Sequence, residues 1–245
     1  MALKHLDLEE QEQLDKIKAF WKQFGNIISS VLIVVFGSNA AYNAYQWWQR
    51  DKAAQASLMY DEVDRAVKGG DAAKVSRAFT DMKERFAGTT YSAQAGLLAA
   101  KALYEQGQLD QAKDALQWVA AQAKEESYRA IAKLRLASIL FEAKTYDDAL
   151  KQLEGLPKEF EALAADRRGD ILLAQGKRDE AKAAFEKAFK GLDETSEYRG
   201  LVGVKLNALG VDVKAKEAKD APSSAAAPAA AAPAATPAAA ASASK

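Results

Sequence analysis

Hydrophobic positions near the start of the chain recur at intervals of three and four: Leu14, Ile17, Trp21 and Phe24, with Lys16, Lys18 and Lys22 interleaved. That spacing predicts an amphipathic helix with one apolar and one charged face. The pattern then changes character. From Gln23 to Gln49 run 27 residues without a formal charge, and their middle, Val31 to Phe36, reads VLIVVF. As a helix rising 1.5 Å per residue this stretch spans about 40 Å, against about 30 Å for the hydrocarbon layer of a bilayer. Neither Pro nor Gly occurs from Ser38 to Lys68, so the helix is expected to run on into the next region.

Three readings compete for the uncharged run. Asn26, Ser29, Ser30, Ser38, Asn39 and Asn43 dilute its hydrophobicity, as in the core helix of a soluble protein. Ser38 and Ala40 have the spacing of a signal-cleavage site, but 22 residues precede the run, with Asp7, Glu9, Glu10, Glu12 and Asp15 among them. Export signals begin short and basic. The third reading, a permanent single-span anchor, explains the aromatic residues at both ends. Trp21, with Phe20 and Phe24, stands before the run; Tyr42, Tyr45, Trp47 and Trp48 close it. Such rings favour the headgroup boundary, so these residues are the expected contacts with the lipid bilayer. Lys16, Lys18 and Lys22 on one side outnumber Arg50 and Lys52 on the other, which places the N-terminus in the cytoplasm and the large domain outside.

After Gly69-Gly70 the pattern becomes periodic. Compare ALYEQGQLDQAKDAL (102–116), ILFEAKTYDDALKQL (139–153) and ILLAQGKRDEAKAAF (171–185). Each joins an apolar helix end to a turn at Gly107, Lys144 or Gly176, then opens a second helix; Gly70 starts a more degenerate copy through Val75 and Phe79. The turns are 37, 37 and 32 residues apart, which resembles the helical pair of the tetratricopeptide repeat. Ala100, Ala137 and Gly169 are small where the paired helices must approach; Ala112, Ala149 and Ala181 answer them, and Leu116, Leu153 and Phe185 fill the seam. One pair cannot cover its own apolar face, so several must stack. The segment SEYRGLVGVKLNALG (196–210) is expected to close the stack through Leu201, Lys205, Leu206 and Leu209. The aromatic residue usual at the start of such repeats is missing, with Gly96, Lys133 and Ala165 there instead.

The fold expected is therefore all-α: a cytoplasmic lead-in over 1–22, a transmembrane anchor over 23–48, a tetratricopeptide-like α-solenoid over 49–211 and a tail over 212–245. The tail sets four of the chain's five prolines in an alanine background. Spaced prolines break a helix that alanine alone would favour, and there is little to bury, so disorder is expected.

Composition narrows the chemistry. Of 245 residues, 34 are basic and 34 acidic, with no long block of either sign, a poor basis for gripping nucleic acid. Cysteine is absent and His5 is the lone histidine, which leaves almost no material for thiolate, imidazole or zinc chemistry. No nucleophile–base arrangement or phosphate-binding loop appears, so no cofactor, metal or catalytic residue is expected. The informative surface is the groove lined by the first helix of each pair. Repeat register turns Leu97, Lys101 and Tyr104, then Ile131, Leu134, Ser138 and Phe141, toward it. A concave face mixing aliphatic, aromatic and a few polar groups suits an extended or helical peptide.

The order of DKIKAFWKQFGN, a single span ending in AYQWWQR, and degenerate repeats such as ADRRGDILLAQGKRDEAKAAF, with the closing VKLNALG, resembles the YfgM-like family. These are ancillary subunits of the bacterial SecYEG translocon, and the likeness covers roughly residues 11–210. The resemblance implies a bacterial inner-membrane protein with a periplasmic C-terminal domain beside the channel. It also implies a membrane-anchored periplasmic prolyl isomerase as partner, and transfer of exported or unfolded polypeptides to periplasmic chaperones. No catalytic residue comes with it. Two other functions fit the same residues: an envelope-stress signalling adaptor acting through the cytoplasmic N-terminus, and an envelope assembly scaffold whose tail reaches another layer.

Overall fold

The computed structural model describes residues 8–213, with side chains from residue 12; His5 and the alanine- and proline-rich tail beyond 213 lie outside the described residues. Helix α1 runs without interruption over Leu8–Lys68. Eight further α-helices follow among the described residues: α2 (Ala72–Phe86), α3 (Thr90–Glu105), α4 (Leu109–Gln122), α5 (Glu126–Glu142), α6 (Tyr146–Gln152), α7 (Glu161–Ala174), α8 (Arg178–Gly191) and α9 (Glu197–Ala208), with one 3-10 turn at Lys158–Phe160. The described residues contain no strand.

Helices pair in sequence: the C-terminal part of α1 with α2, α3 with α4, α5 with α6 and α7 with α8, while α9 packs on α8. The first helices also touch one another, α1 with α3, α3 with α5 and α5 with α7. That ladder is the body of a solenoid. Its first rung is the far end of α1, where Ala56, Met59 and Val63 are buried at helical spacing in the same cluster as Val75, Phe79 and Leu103. The continuous helix passes positions 22 and 48 unbroken, so lead-in, anchor and repeat region differ there in composition alone.

Every first helix ends in the same way. Gly70, Gly107, Lys144, Gly176 and Gly210 all adopt positive φ, between 60° and 84°. At Gly107 the amide donates to the Tyr104 carbonyl (2.9 Å) and the following amide to Leu103 (2.8 Å). The corresponding pairs recur at Lys144, Gly176 and Gly210. This is the Schellman arrangement, in which a left-handed residue satisfies carbonyls that the helix end leaves open. The turn at Gly210 follows Gly176 by 34 residues, so α9 is the first helix of a fifth unit. Among the second helices α2 starts with a side-chain cap, Asp71 accepting from the Lys74 amide at 3.1 Å, while α4, α6 and α8 start without one.

The closing helix meets the stack through three of the four residues its spacing suggests, Lys205, Leu206 and Leu209; the fourth, Leu201, does not take part. Val202 and Leu206 are buried, Leu209 is half-buried, and Leu201 points outward at 60% exposure. Lys205 does turn inward, onto carboxylates of α7.

Candidate peptide groove and membrane helix

Two surfaces stand out, one on α1 and one on the first helices that follow it. From Val31 to Phe36 six consecutive apolar side chains are 46–72% exposed, with no polar face among them. Within the described residues α1 is the one helix long and apolar enough to cross a membrane. A helix apolar on every side needs an apolar environment on every side, which the described residues do not supply. Trp21 stacks over Gly25, whose missing Cβ would lie 3.3 Å from the ring. At the other end Tyr42, Tyr45, Trp47 and Trp48 are exposed, the Tyr45 and Trp48 rings lie 6.1 Å apart, and the Lys52 ammonium sits 5.3 Å from the Trp48 ring.

The first helices carry the seven residues expected to line a groove, and of these Leu134 and Ser138 share one depression. Leu97 lies in the largest core cluster at 8% exposure. Lys101 is exposed, its ammonium 3.8 Å from Glu105. The Tyr104 hydroxyl donates to Glu142 at 2.6 Å, tying α3 to α5; that bond to a carboxylate is the main reason its phenol titrates above its ordinary range. Ile131 packs on the core edge, and Phe141 lies 6.0 Å from the Tyr146 ring. Leu134 and Ser138 come together with Arg135, Leu163, Arg167 and Tyr198 around a depression of about 230 Å³. Three first helices, α5, α7 and α9, thus meet around one depression.

Beneath that depression lies a cluster that sequence reasoning missed. Asp166 is 0% exposed. It accepts from the Tyr198 hydroxyl at 2.5 Å and from the Lys205 ammonium at 2.8 Å. The same ammonium reaches Asp170 at 2.8 Å and stands 5.1 Å from the Phe185 ring. Burial pushes the Tyr198 phenol up to about 12, and its bond to Asp166 adds to the effect. Burial likewise raises Asp170, against the pull of Lys205. A buried carboxylate survives because its lone pairs are filled and a cation faces it. The signal was in the register: five residues before each turn stand Ala102, Ile139 and Ile171, all buried, and then Lys205. A lysine in a core slot demands an acid.

A second cleft, about 600 Å³, opens on the side of the second helices, with Leu153, Leu156, Ala164, Leu172 and Ala184 in its walls. It exists because α6 is only 7 residues long where α4 and α8 have 14.

The comparisons with known proteins agree with this architecture. A model of the tetratricopeptide repeat-like domain matches residues 18–211. The ancillary SecYEG translocon subunit of Escherichia coli (strain K12) is 30% identical over 206 residues, covering 82% of this chain and 97% of that one. The protein of the same name from Neisseria gonorrhoeae (strain ATCC 700825 / FA 1090) is 29% identical over 207 residues, covering 82% and 98%. A crystal structure of MamA overlaps with a TM-score of 0.44 at 19% identity, covering 68% of this chain and 95% of that one, too loosely to bear on function. With a repeat model spanning most of its length and relatives matched nearly end to end, the chain belongs to the family of ancillary SecYEG translocon subunits, built on a tetratricopeptide repeat-like domain.

Proposed function

We propose that the protein is a non-catalytic, membrane-anchored binding module beside the Sec translocon of its own cell. Its N-terminus lies in the cytoplasm and its solenoid on the periplasmic side of the inner membrane. There the groove holds exported or unfolded polypeptides briefly and passes them toward periplasmic chaperones, with a membrane-anchored prolyl isomerase as neighbour. The observation that carries this reading is the continuity of α1. One helix is apolar on all sides over Val31–Phe36 and, further along, supplies the first rung of the repeat stack. From Trp48 to Lys68 it rises about 30 Å, which would keep the groove within reach of a chain leaving the membrane. Tethering at that distance replaces tight binding by high effective concentration.

Isolation of the full chain from membranes in mild detergent should bring channel subunits with it, and removal of residues 1–48 should abolish the association. Protease added outside opened cells should cut the solenoid. A photoreactive residue at Tyr104 or Phe141 should crosslink to exported chains in living cells. Undiminished association without the anchor, or a solenoid protected from the outer side, would refute the proposal.

A further inference from the structure

Nine residues before each left-handed turn of the second to fifth units, the first helices present Leu98, Arg135, Arg167 and Leu201 in order. Helices α5 and α7 are in contact, so the two arginines occupy neighbouring rungs. Both border the depression between Leu134, Leu163 and Tyr198. Arg135 is fixed from behind, its guanidinium donating to the Leu97 carbonyl at 3.1 Å. Arg167 has Asp170 at 3.9 Å, but that carboxylate is held more closely by Lys205, at 2.8 Å. Asp166 is occupied by Tyr198 and Lys205. Asp166 and Asp170, two acids on the same helix as Arg167, are therefore held chiefly by Tyr198 and Lys205, and Arg135 and Arg167 are both exposed residues beside apolar walls. One rung further, Leu201 and Val204 lie open at 60% and 66% exposure.

We propose that this groove selects extended peptide segments in which a carboxylate stands close to an apolar side chain. The carboxylate bridges Arg135 and Arg167, whose planar forks match it in shape. An apolar neighbour enters the depression, and the segment continues over Leu201 and Val204. Adjacent helices are about 9 Å apart and an extended chain advances about 3.3 Å per residue, so a carboxylate between two rungs and the apolar contact on the next sit about three to four residues apart. This rests on the groove reading above and adds the class of segment it takes.

The test is fluorescence anisotropy with the full chain in detergent micelles and short labelled peptides. One probe carries Leu and Asp three positions apart; a second carries Asn for Asp; a third keeps Asn and differs only in a free or amidated C-terminus. The Asp probe should bind about threefold more tightly than its Asn counterpart, the strength expected of an exposed charge-assisted pair. A gain restricted to the free C-terminus would also support the site, and would identify the chain end as the carboxylate it reads. Arg167→Gln should erase the preference, and Arg167→Glu should transfer it to a Lys probe, a reversal that loss of folding cannot mimic. Arg135→Lys, read with a thermal melt, covers the case in which Arg135→Gln fails to fold. Equal affinity for Asp, Asn and amidated probes would overturn the carboxylate selection and leave the groove reading intact. No binding by any probe would overturn both.

Discussion

The third and fourth helical pairs perform the same task with opposite economy. In the third, α5 meets a second helix of 7 residues, the turn is a lysine in left-handed conformation, and a cleft lies alongside. In the fourth, α7 meets a second helix of 14 residues through Gly176, and α9 locks the pair by way of Asp166. The seam differs too. Ala137 and Leu153 share a small cluster in the third pair; in the fourth, Gly169 lies flat against the Phe185 ring, where an added Cβ would come within 2.5 Å. Side-chain volume has been traded across the joint: alanine opposite leucine, glycine opposite phenylalanine. Repeats can therefore drift in sequence while the helix spacing stays near constant, provided the two sides of a seam change together.

The largest way to break this contrast is at Asp166. Asp166→Ala removes the buried carboxylate that Tyr198 and Lys205 share; Lys205 keeps Asp170, so the loss at the C-terminal end should be about 2–4 kcal/mol, chiefly from a phenol and an ammonium each losing a buried acceptor. Chemical denaturation followed by hydrogen exchange would show α7 to α9 losing protection together, while α2 to α4 keep theirs. Replacing the acid together with both of its donors, Asp166→Leu with Lys205→Met and Tyr198→Phe, should recover most of the loss. An Asp166→Ala protein as stable as the parent would show the cluster to be incidental.

Next in size is the seam. Gly169→Ala drives a methyl group into the Phe185 ring. Overpacking of this kind costs about 1–3 kcal/mol. Adding Phe185→Leu should restore stability relative to Gly169→Ala alone, because it recreates the pairing of the third pair. The double-mutant cycle measures the trade directly, and additive effects would deny it.

These features were legible to very different degrees. The turn register at Gly107, Lys144 and Gly176, the small residues opposite Leu116, Leu153 and Phe185, and the unbroken helix through the uncharged run follow from local periodicity, which a single chain displays openly. The shortness of α6 is half visible, as a spacing of 32 where the earlier ones are 37. The ionic cluster was not read. Asp166, in the string ADRRGD, resembles any solvated helix face, since its partners Tyr198 and Lys205 lie 32 and 39 residues away and reach it only after the stack has closed. Leu201 misled for a related reason. Leucine in a closing helix looks like core, but its register position is that of Arg135 and Arg167 on the groove.

A smaller effect separates the pairs by pH. The Tyr198 phenol is pushed from 10.0 to about 12 in the folded chain. The folded state keeps a proton that the unfolded chain has already released. Its contribution is thus complete below pH 10 and is lost as pH rises from there toward 12. Tyr198→Phe should flatten the fall of the unfolding midpoint over that window, although its stability at neutral pH is lower. Parallel slopes for parent and variant would show that the phenol stays accessible to base.

The smallest expected change is also the one that makes the third pair more like the fourth. Among the described residues Lys144 is the one non-glycine with positive φ, at 60°. Its neighbours in register, Gly107 and Gly176, hold the same conformation without a Cβ. A side chain there costs about 1–2 kcal/mol, and glycine gives back about 0.4–1 kcal/mol through the freedom it adds to the unfolded chain. Lys144→Gly should therefore stabilise by about 0.5–1 kcal/mol. The gain should appear in α5 and α6, as slower amide exchange beside the cleft, and leave the depression at Arg135 and Arg167 unchanged. Were the substitution to destabilise instead, the lysine side chain would have to be holding the short helix in place, and the third pair would be looser by design of its turn rather than by the length of α6.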